Sequence, residues 1–300
     1  METKGLSILI PVYNTIVTKL VQDLHQQASV LDCPFEIILA DDCSKPEFIS
    51  ENRKLAELDG VRYEQMQTNV GRAIIRNRLA QLARFDYLVI MDCDVAMVDG
   101  DFLKRYLQNE TESVIFGGYT YMPEQKQKNC MLRWTYDTKL RTLSAEQRRL
   151  SPYTAFSTVN FFIKRNILLS YPFNEKLSVY GHEDSMLRCE LEQQGIMIAH
   201  IDNPVYHMHL DDNESYIEKT KMGVNNLWAI NGMPEFSKLT EHINLLHYYG
   251  KLKRWHFVTA AKWLFCLSKP FLLLNLKSSK PLLPLYQWFK LGYLCTIAKN

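Results

Sequence analysis

Short apolar segments that end in polar turns place the strongest constraint on what this chain can fold into. Three of them lie in the first third of the sequence, at Leu6–Val12, Phe35–Ala40 and Tyr87–Met91. Segments with the apolar spacing of helices separate them, at Thr18–Ser29 and Ala73–Arg84. Strands that are apolar on both faces and alternate with helices are typical of a mostly parallel α/β sheet covered by helices.

The rest of the chain continues this pattern. We predict a helix around Leu132–Leu143, a strand at Ser157–Ile163, a helix at Asp184–Gln194 that stops at Gly195, and a strand at Ile196–Ile201. With 300 residues, of which 47% are hydrophobic and 23% charged, the chain can build a sizeable core. This composition excludes a largely disordered chain, a collagen-like fibre and a small disulfide-stabilised domain.

The overall net charge of +2 conceals an uneven distribution. No acidic residue follows Glu241, whereas residues 251–300 contain nine Lys and Arg side chains and three tryptophans. The other 250 residues carry 26 basic and 33 acidic side chains, and an acidic body argues against a nucleic-acid partner. We therefore divide the chain into a body of residues 1–235 and a basic, aromatic helical extension of residues 236–300.

Two interpretations of this extension stay open. Lysines interleaved with Leu, Phe and Trp are expected of helices that lie on an anionic membrane surface. They are equally expected of a helical cap whose aromatic side chains fill the protein's own core while its lysines face solvent.

The cysteines indicate a reducing environment, because their number, seven, is odd and no Cys-x-x-Cys occurs. The apolar segment near the N-terminus is too short for a signal peptide and contains Pro11. No uncharged apolar run approaches the ~18 residues that a membrane-spanning helix needs. We therefore expect a cytoplasmic protein, held on the inner face of the cell membrane if the first interpretation of the extension is right.

The tripeptide Asp92-Cys93-Asp94 directly follows the third apolar segment. Residues two apart in an extended chain point the same way, and two carboxylates on one face suit Mg²⁺ or Mn²⁺. On the tripeptide alone, a solvated turn is the better explanation. The haloacid dehalogenase phosphatases also place two Asp after a strand, but their pattern requires Thr or Val where Ala96 stands.

Polar residues follow the other two apolar segments as well. Pro11 stiffens the end of the first, and the Tyr13 ring could stack on a base. Asp41 and Asp42 end the second and could accept hydrogen bonds from a base N–H or a ribose. An arginine such as Arg72, at the beginning of a helix, could pair with a carboxylate or a phosphate. Taken singly, each of these also fits an ordinary turn or a solvated helix face.

Four motifs nevertheless occur in a fixed order along the chain. They are Ser-Ile-Leu-Ile-Pro-Val-Tyr-Asn at 7–14, Ala-Asp-Asp-Cys-Ser at 40–44, Asn-Val-Gly-Arg-Ala at 69–73 with Arg-Asn at 76–77, and Met-Asp-Cys-Asp at 91–94. Together they resemble the inverting glycosyltransferases of family 2, which have the GT-A fold. The resemblance implies a mixed, mostly parallel sheet flanked by helices and a nucleotide-sugar donor.

By the family's pattern, Pro11, Tyr13 and Asp41 border the base, Asp92 lies near the ribose and Asp94 holds a metal ion, Mn²⁺ or Mg²⁺. One departure from the pattern is Cys43, which stands where the family more often has Gly or Asn. The full set of expected donor-binding residues is Pro11, Tyr13, Asn14, Asp41, Asp42, Asn69, Gly71, Arg72, Arg76 and Asp92.

The second half of the chain extends the resemblance. Residues 180–187, Tyr-Gly-His-Glu-Asp-Ser-Met-Leu, are similar to the Gly-x-Glu-Asp-x-x-Leu motif of the galactosyltransferase and chondroitin-polymerase type, and Phe-Asn-Glu at 173–175 is similar to that subgroup's Phe-Asp-Glu. Glu183 and Asp184 open a predicted helix, where carboxylates are favoured. Either they only cap the helix, or Asp184 acts as the general base and Glu183 orients the acceptor.

His207 and His209 follow the last predicted strand. The resemblance implies that one of them completes the metal site, and imidazole is an acceptable ligand beside two oxygens. Their spacing does not choose between them, whereas the family's usual Pro-Val-x-His favours His207.

The sequence therefore predicts a metal-dependent inverting glycosyltransferase that moves a hexose or N-acetylhexosamine from a nucleotide diphosphate donor, UDP by preference, to a hydroxyl of a glycan or lipid-linked acceptor in surface polysaccharide synthesis. Two alternatives stay open. One is a metal-dependent nucleotidyl- or phosphoryl-transfer enzyme, which would need the two aspartates but gives no reason for Glu183 and Asp184. The other is a non-catalytic subunit of a glycan assembly complex.

Overall fold

The structure is a computed structural model that describes residues 5–176, 181–241 and 243–298. Contacts within the chain divide these residues into two units. The first unit comprises residues 5–121, 142–176 and 183–209. The second unit comprises residues 122–141, 181–182, 210–241 and 243–298.

The strands of the described residues all lie in the first unit. They are β1 (Leu6–Val12), β2 (Phe35–Asp41), β3 (Val61–Gln65), β4 (Tyr87–Met91), β5 (Val95–Met97), β6 (Val114–Phe116), β7 (Tyr119–Thr120), β8 (Asn160–Lys164), β9 (Ile198–His200) and β10 (Val205–His207). Seven of them form one sheet in the order β3-β2-β1-β4-β8-β6-β9, and β5-β10-β7 form a small second sheet. Strands β3, β2, β1 and β4 run parallel, while β8 runs antiparallel to both of its neighbours.

The helices are distributed over both units. They are α1 (Thr18–Ala28), α2 (Pro46–Arg53), α3 (Arg72–Leu82), α4 (Phe102–Leu107), α5 (Met131–Leu140), α6 (Ala145–Arg149), α7 (Arg165–Ser170), α8 (Glu183–Gln193), α9 (Asn213–Ile230), α10 (Ser237–Glu241), α11 (Asn244–Arg254), α12 (Val258–Leu276) and α13 (Leu283–Ile297). Helices α5 and α9–α13 belong to the second unit.

The large sheet separates two apolar cores because successive side chains of a strand point to opposite faces. On β1, Ile8 and Ile10 join the core beneath α1, whereas Leu9 joins the core beneath α3. On β4, Val89 and Ile90 divide in the same way. Since both faces are covered, these strands are apolar throughout, and this is why they could be recognised in the sequence.

The α/β fold with a mixed, mostly parallel sheet flanked by helices and with C-terminal helices is confirmed. β1 and β4 have the predicted bounds, and α1, α3 and α8 agree with prediction to within two residues. The sequence analysis missed β3, whose sequence Val-Arg-Tyr-Glu-Gln contains a single buried side chain, Val61. As an edge strand that is half exposed, it lacks the apolar run that marks the central strands.

The second unit has its own core, made of Leu132 from α5, Ile217 from α9 and apolar side chains of α12 and α13 such as Phe265 and Phe289. The contacts therefore group α5 and α9 with the C-terminal helices, so the second unit draws on more of the chain than the extension predicted from residue 236. Composition could not reveal this, because α5 and α9 contain acidic side chains and therefore lie outside the acid-free part of the sequence.

No single helix among the described residues is long and apolar enough to cross a membrane. Helices α11 and α12 have the length and apolar composition of a membrane span only when they are taken together, and the pair is bent by 117° at the break between them. All seven cysteines are free thiols.

Helix α13 packs closely on α12 at Gly292. A Cβ at this position would overlap the ring of Phe265. Alanine is ordinarily better than glycine inside a helix, but here the overlap outweighs that gain. We expect Gly292→Ala to lower the free energy of unfolding by about 1–3 kcal/mol, measured by urea denaturation of the full chain.

Gly250 in α11 is the matched control, because a Cβ there meets nothing within 4 Å. Gly250→Ala should raise the free energy of unfolding by about 0.5–1 kcal/mol. Equal stabilisation by both substitutions would mean that α12 and α13 are not packed in this way.

Candidate active site

The candidate site lies at the carboxyl-terminal edge of the parallel strands. Val12 at the end of β1 pairs with Asp41 at the end of β2, and Asp41 pairs with Gln65 at the end of β3. Asp92 follows β4 immediately on the other side of β1. Parallel strands that end at one level place the loops after them side by side, which is where α/β proteins bind ligands.

Asp42 fixes the loop before α3. Its Oδ1 accepts a hydrogen bond from the Val70 N–H at 2.7 Å, and its Oδ2 accepts one from the Gly71 N–H at 3.0 Å. The Asn69 side-chain amide donates to the Asp42 carbonyl oxygen at 3.2 Å. Gly71, with φ of 84°, caps α3 in a conformation that glycine adopts without strain. In this structure Asp42, Asn69 and Gly71 hold the loop, and their part in donor binding stays a prediction.

The two carboxylate oxygens of Asp41 differ in their hydrogen bonding. Its Oδ1 accepts a hydrogen bond from the Ser44 N–H at 2.7 Å. Its Oδ2 is buried and has no hydrogen-bond partner among the described residues. Burial and the neighbouring Asp41 carboxylate raise the pKa of Tyr63 on β3, so that phenol stays neutral. Sequence reasoning missed Tyr63 because it missed β3.

The loops after β1 and β2 are joined by Asn14. Its backbone N–H donates to the Ser44 Oγ at 2.8 Å, and its side-chain oxygen accepts from the Lys45 N–H at 2.9 Å. Beside it, Pro11 is half-buried and the Tyr13 side chain is 51% exposed, so the Tyr13 ring is accessible to a ligand.

Cys43 adopts a left-handed backbone conformation with φ of 63°. Gly and Asn tolerate this conformation better than other residues, which explains why they are more frequent at this position in the resembling sequences. Its Sγ donates a weak hydrogen bond to the Gln67 carbonyl oxygen at 3.5 Å. The departure from the family pattern is therefore accommodated by the backbone.

Arg76 is a deeply buried cation of the site, with 1% of its surface exposed. Its Nη2 donates to the Asp92 Oδ1 at 2.7 Å, and its Nη1 lies 3.7 Å from the Glu183 Oε1. Arg72, one turn earlier on α3, reaches the same Glu183 oxygen at 3.4 Å. One buried guanidinium thus connects the carboxylate after β4 with the first residue of α8.

A second connection runs from α3 to the segment Phe173–Glu175. The Asn77 side chain accepts a hydrogen bond from the Phe173 N–H and donates to the Phe173 carbonyl oxygen, both at 2.9 Å. It also donates to the Glu175 carboxylate at 2.9 Å. The Arg76 guanidinium lies over the Phe173 ring, 5.5 Å from its centroid. Tyr180 of the predicted motif lies outside the described residues.

Asp184 is the second residue of α8 and is half-buried. Its Oδ1 accepts hydrogen bonds from the Ser185 N–H at 2.6 Å and the Ser185 Oγ at 3.3 Å. Among the described residues, no hydrogen bond reaches its Oδ2. The two acidic residues therefore differ, because Glu183 is buried in ion pairs with arginines whereas Asp184 keeps one oxygen for a ligand.

The structure brings Asp94 and His207 together. The His207 Nε2 lies 3.9 Å from the Asp94 Oδ2, and the Met208 N–H donates to the Asp94 carbonyl oxygen at 2.7 Å. His207 is the last residue of β10 and is buried, whereas His209 lies beyond the strand end and is exposed. Because β10 ends between them, the two histidines do not share a strand face.

One divalent ion with bonds of about 2.1 Å to each of these two atoms could span that separation. No group of three or more His, Cys, Asp or Glu side chains placed to hold a metal occurs in the described part of the chain. The remaining ligands would have to come from a substrate and water, which is the usual situation for Mg²⁺ and Mn²⁺ in nucleotide sites. Burial, followed by the charge of Asp94, raises the pKa of Cys93 to about 11, so this thiol is protonated at neutral pH as long as no metal binds it.

The strand order and the polar loops at the carboxyl-terminal edge of the sheet define the GT-A class of folds. Residues 7–171, more than half of the chain, match the family Glycosyl transferase family 2. The chain belongs to this family. This membership favours glycosyl transfer over nucleotidyl or phosphoryl transfer.

Two curated proteins are similar to part of the chain. Chondroitin synthase of Escherichia coli is 34% identical over 95 residues, which are 31% of this chain and 14% of that protein. An uncharacterised glycosyltransferase of Haemophilus influenzae is 37% identical over 91 residues, 30% of this chain and 29% of that protein. The chain thus matches less than a third of the length of either relative.

Solved structures support the fold at low sequence identity. The mannosyltransferase PcManGT of Pyrobaculum calidifontis, in complex with GDP-Man and Mn²⁺, aligns with a TM-score of 0.56 and 16% identity over 97% of this chain and 86% of its own. TarS 1-349 of S. aureus, in complex with UDP-GlcNAc, aligns with a TM-score of 0.53 and 16% identity over 96% of this chain and 90% of its own.

The ion pair between Arg76 and Asp92 can be tested by a double-mutant cycle. Arg76→Met should lower the free energy of unfolding by about 3–5 kcal/mol, because it leaves two carboxylates without their shared cation. In the Arg76→Met variant, Asp92→Asn should lower the free energy of unfolding by less than it does in the wild type. The coupling energy from urea denaturation should be at least about 1 kcal/mol.

The exposed pair of Lys54 and Glu51, 2.8 Å apart, provides the control cycle. Its coupling energy should stay below about 0.5 kcal/mol, because solvent screens both charges. A coupling between Arg76 and Asp92 as small as this would contradict the arrangement described.

Proposed function

We propose that this glycosyltransferase is a metal-dependent inverting enzyme. In this proposal it transfers a hexose or N-acetylhexosamine from a UDP-sugar to a hydroxyl group of a glycan or of a lipid-linked acceptor in surface polysaccharide synthesis. The observation that carries the proposal is the position of Arg76, which pairs with Asp92 on one side and Glu183 on the other. Residues expected to bind the donor and residues expected to act on the acceptor therefore belong to one site.

UDP is the proposed donor nucleotide. Asp41 offers a buried oxygen without a partner, which suits the ring N–H of uracil, and the exposed Tyr13 side chain is available to stack on the base. Asp92 is proposed to accept a hydrogen bond from the ribose, with Arg76 holding its other oxygen in place. TarS, which has a similar fold, binds UDP and UDP-GlcNAc in its crystal structures.

The nature of the sugar and the acceptor rests on resemblance. Gly181, Glu183 and Asp184 stand as in the Gly-x-Glu-Asp motif of galactosyltransferases and chondroitin polymerases, and the chain shares 34% identity with chondroitin synthase over 95 residues. These observations support a hexose or N-acetylhexosamine as the sugar and the hydroxyl of a growing glycan as the acceptor.

Asp94 and His207 are proposed to hold the divalent cation, either Mn²⁺ or Mg²⁺. Carboxylate oxygen and imidazole nitrogen are acceptable ligands for both ions, and two protein ligands leave room for diphosphate oxygens. When bound, such an ion neutralises the charge that builds up on the leaving diphosphate.

Asp184 is proposed to be the general base. Its Oδ1 is held by Ser185 and its Oδ2 is left to accept the proton of the acceptor hydroxyl, near a helix N-terminus that favours negative charge. As the acceptor oxygen loses its proton to Asp184, it attacks the anomeric carbon from the side opposite the diphosphate. The bond from that carbon to UDP breaks, and the configuration at the carbon is inverted. Glu183, held by two arginines, is suited to orienting the acceptor.

The assignment of the base can be tested with Asp184→Asn, which keeps the shape and the hydrogen bonds from Ser185. Loss of a general base typically costs 10²- to 10⁴-fold in rate, so we expect turnover to fall by about that factor. Affinity for the UDP-sugar should barely change, because Asp184 does not contact the donor-binding loops. Initial rates with varied acceptor, together with calorimetric binding of the donor, measure both quantities.

Glu192→Gln, an exposed position on the same helix, is the matched control and should behave as the wild type. Near-normal turnover of Asp184→Asn would remove Asp184 from the role of base and make Glu183 the next residue to test. A wild-type protein that binds the donor but neither hydrolyses nor transfers it would favour the non-catalytic subunit instead.

The metal assignment makes a separate prediction. Asp94→Ala should abolish transfer and also the additional thermal stabilisation that Mn²⁺ gives to the UDP complex, because one of two protein ligands is lost. Stabilisation by UDP alone should persist, since Asp41 and Tyr13 are untouched. Asp59→Ala is the control, because Asp59 is an exposed acid just before β3, at the end of the parallel strands opposite to the site. Unchanged Mn²⁺-dependent stabilisation in Asp94→Ala would show that the ion binds elsewhere.

A further inference from the structure

Helix α12 of the second unit has two apolar faces. One face is buried in the unit and includes Ala261, Phe265 and Leu272. The opposite face is solvent-exposed, although it is just as apolar. Its large side chains, which follow each other at the three- and four-residue spacing of a helix face, are Trp263 (69% exposed), Leu264 (58%), Leu267 (72%), Phe271 (74%) and Leu274 (72%).

The exposed row extends into the turn before α12, where Trp255 is 61% and Phe257 is 55% exposed. Single exposed apolar residues are normal on a soluble protein, but a continuous row of this length marks an interaction surface. We call the five α12 side chains and these two the α12 face.

The charges beside the beginning of the α12 face are basic. The last turn of α11 carries Lys251, Lys253 and Arg254, all exposed, and neither α11 nor α12 contains an acidic residue. No acidic residue follows Glu241. A second copy of this chain would bring the same cations against each other, which disfavours a dimer through this face. An anionic surface has the complementary charge.

We propose that α12 lies in the plane of an anionic membrane surface, with the α12 face inserted between the lipid headgroups and with Lys251, Lys253 and Arg254 of α11 on lipid phosphates. Trp and Phe are side chains that prefer this interfacial depth, and Lys can extend from it to the headgroups. The inference goes beyond the sugar-transfer reaction and would hold whichever donor and acceptor the enzyme uses. It joins the two interpretations of the extension, because one side of α12 fills the protein's core while the other binds lipid.

A helix in the membrane plane fits better than a span. The α11–α12 pair is bent by 117°, and a span through α12 would place Lys262 and Lys269 at hydrocarbon depth. Pro270 also lies inside α12. The proposal therefore predicts peripheral attachment, which alkaline carbonate reverses.

The test is flotation of the full-length protein with vesicles of phosphatidylcholine alone or with one-third phosphatidylglycerol. We expect binding to the anionic vesicles only, and weaker binding as salt rises. The triple substitution Trp263→Gln, Leu267→Gln and Phe271→Gln should lower the partition coefficient by about 100-fold or more, because three inserted apolar side chains are lost. Neutralising Lys251, Lys253 and Arg254 to Gln should lower it by about 100-fold on anionic vesicles.

A matched control removes three exposed apolar side chains from the first unit. Val30, Leu150 and Met197 are 80%, 84% and 60% exposed, and their replacement by Gln should leave vesicle binding unchanged. Circular dichroism and cooperative thermal unfolding establish that all variants are folded. Because the readout is vesicle binding, the result is independent of whether sugar transfer is detected.

Three outcomes would overturn the proposal. The first is a wild-type protein that ignores anionic vesicles at low salt. The second is a purified dimer that the Trp263, Leu267 and Phe271 substitutions convert to a monomer, which would make the α12 face an interface between copies. The third is wild-type protein that stays in the vesicles after carbonate extraction, which would indicate a span.

Discussion

The site depends on the burial of one arginine. Arg76 has almost no exposed surface, so its charge must be compensated inside the protein, and the compensation comes from Asp92 after β4 and Glu183 at the beginning of α8. Those two residues are 91 positions apart in the chain, and neither could hold its place without the cation between them. The rest of the site is arranged around this pairing.

The loops that surround Arg76 are rigid for a related reason. Asp42 satisfies two backbone N–H groups before α3, and Asn14 connects the loops after β1 and β2. Several residues of the four motifs therefore build the rim of the site, while Asp41, Tyr13 and Asp184 retain accessible or unpartnered groups. A sequence motif combines residues of both kinds without distinguishing them.

The second unit shows how one helix can serve two purposes. Helix α12 is apolar on two opposite faces, whereas a surface helix is usually apolar on one. Here only one side is covered by the unit's own core of α5, α9 and α13. The exposed side is accordingly available to an environment of lipid, to which the surrounding basic residues are suited.

The sequence was sufficient to locate β1, β2 and β4, because these central parallel strands are apolar on both faces and end at polar turns. It also determined which loops carry the chemistry, since residues 7–14, 40–44 and 91–94 follow those strands directly. It did not reveal β3 or Tyr63, because most side chains of this edge strand are partly exposed and the strand has no apolar run.

The tertiary structure alone shows that Arg76 joins Asp92 to Glu183 and that α5 and α9 pack with the C-terminal helices. It also places His207 beside Asp94, as the Pro-Val-x-His pattern had favoured. The physical reason is the same in each case. These relations depend on where residues distant in the chain meet in space, and local hydrophobic patterns carry no information about that meeting.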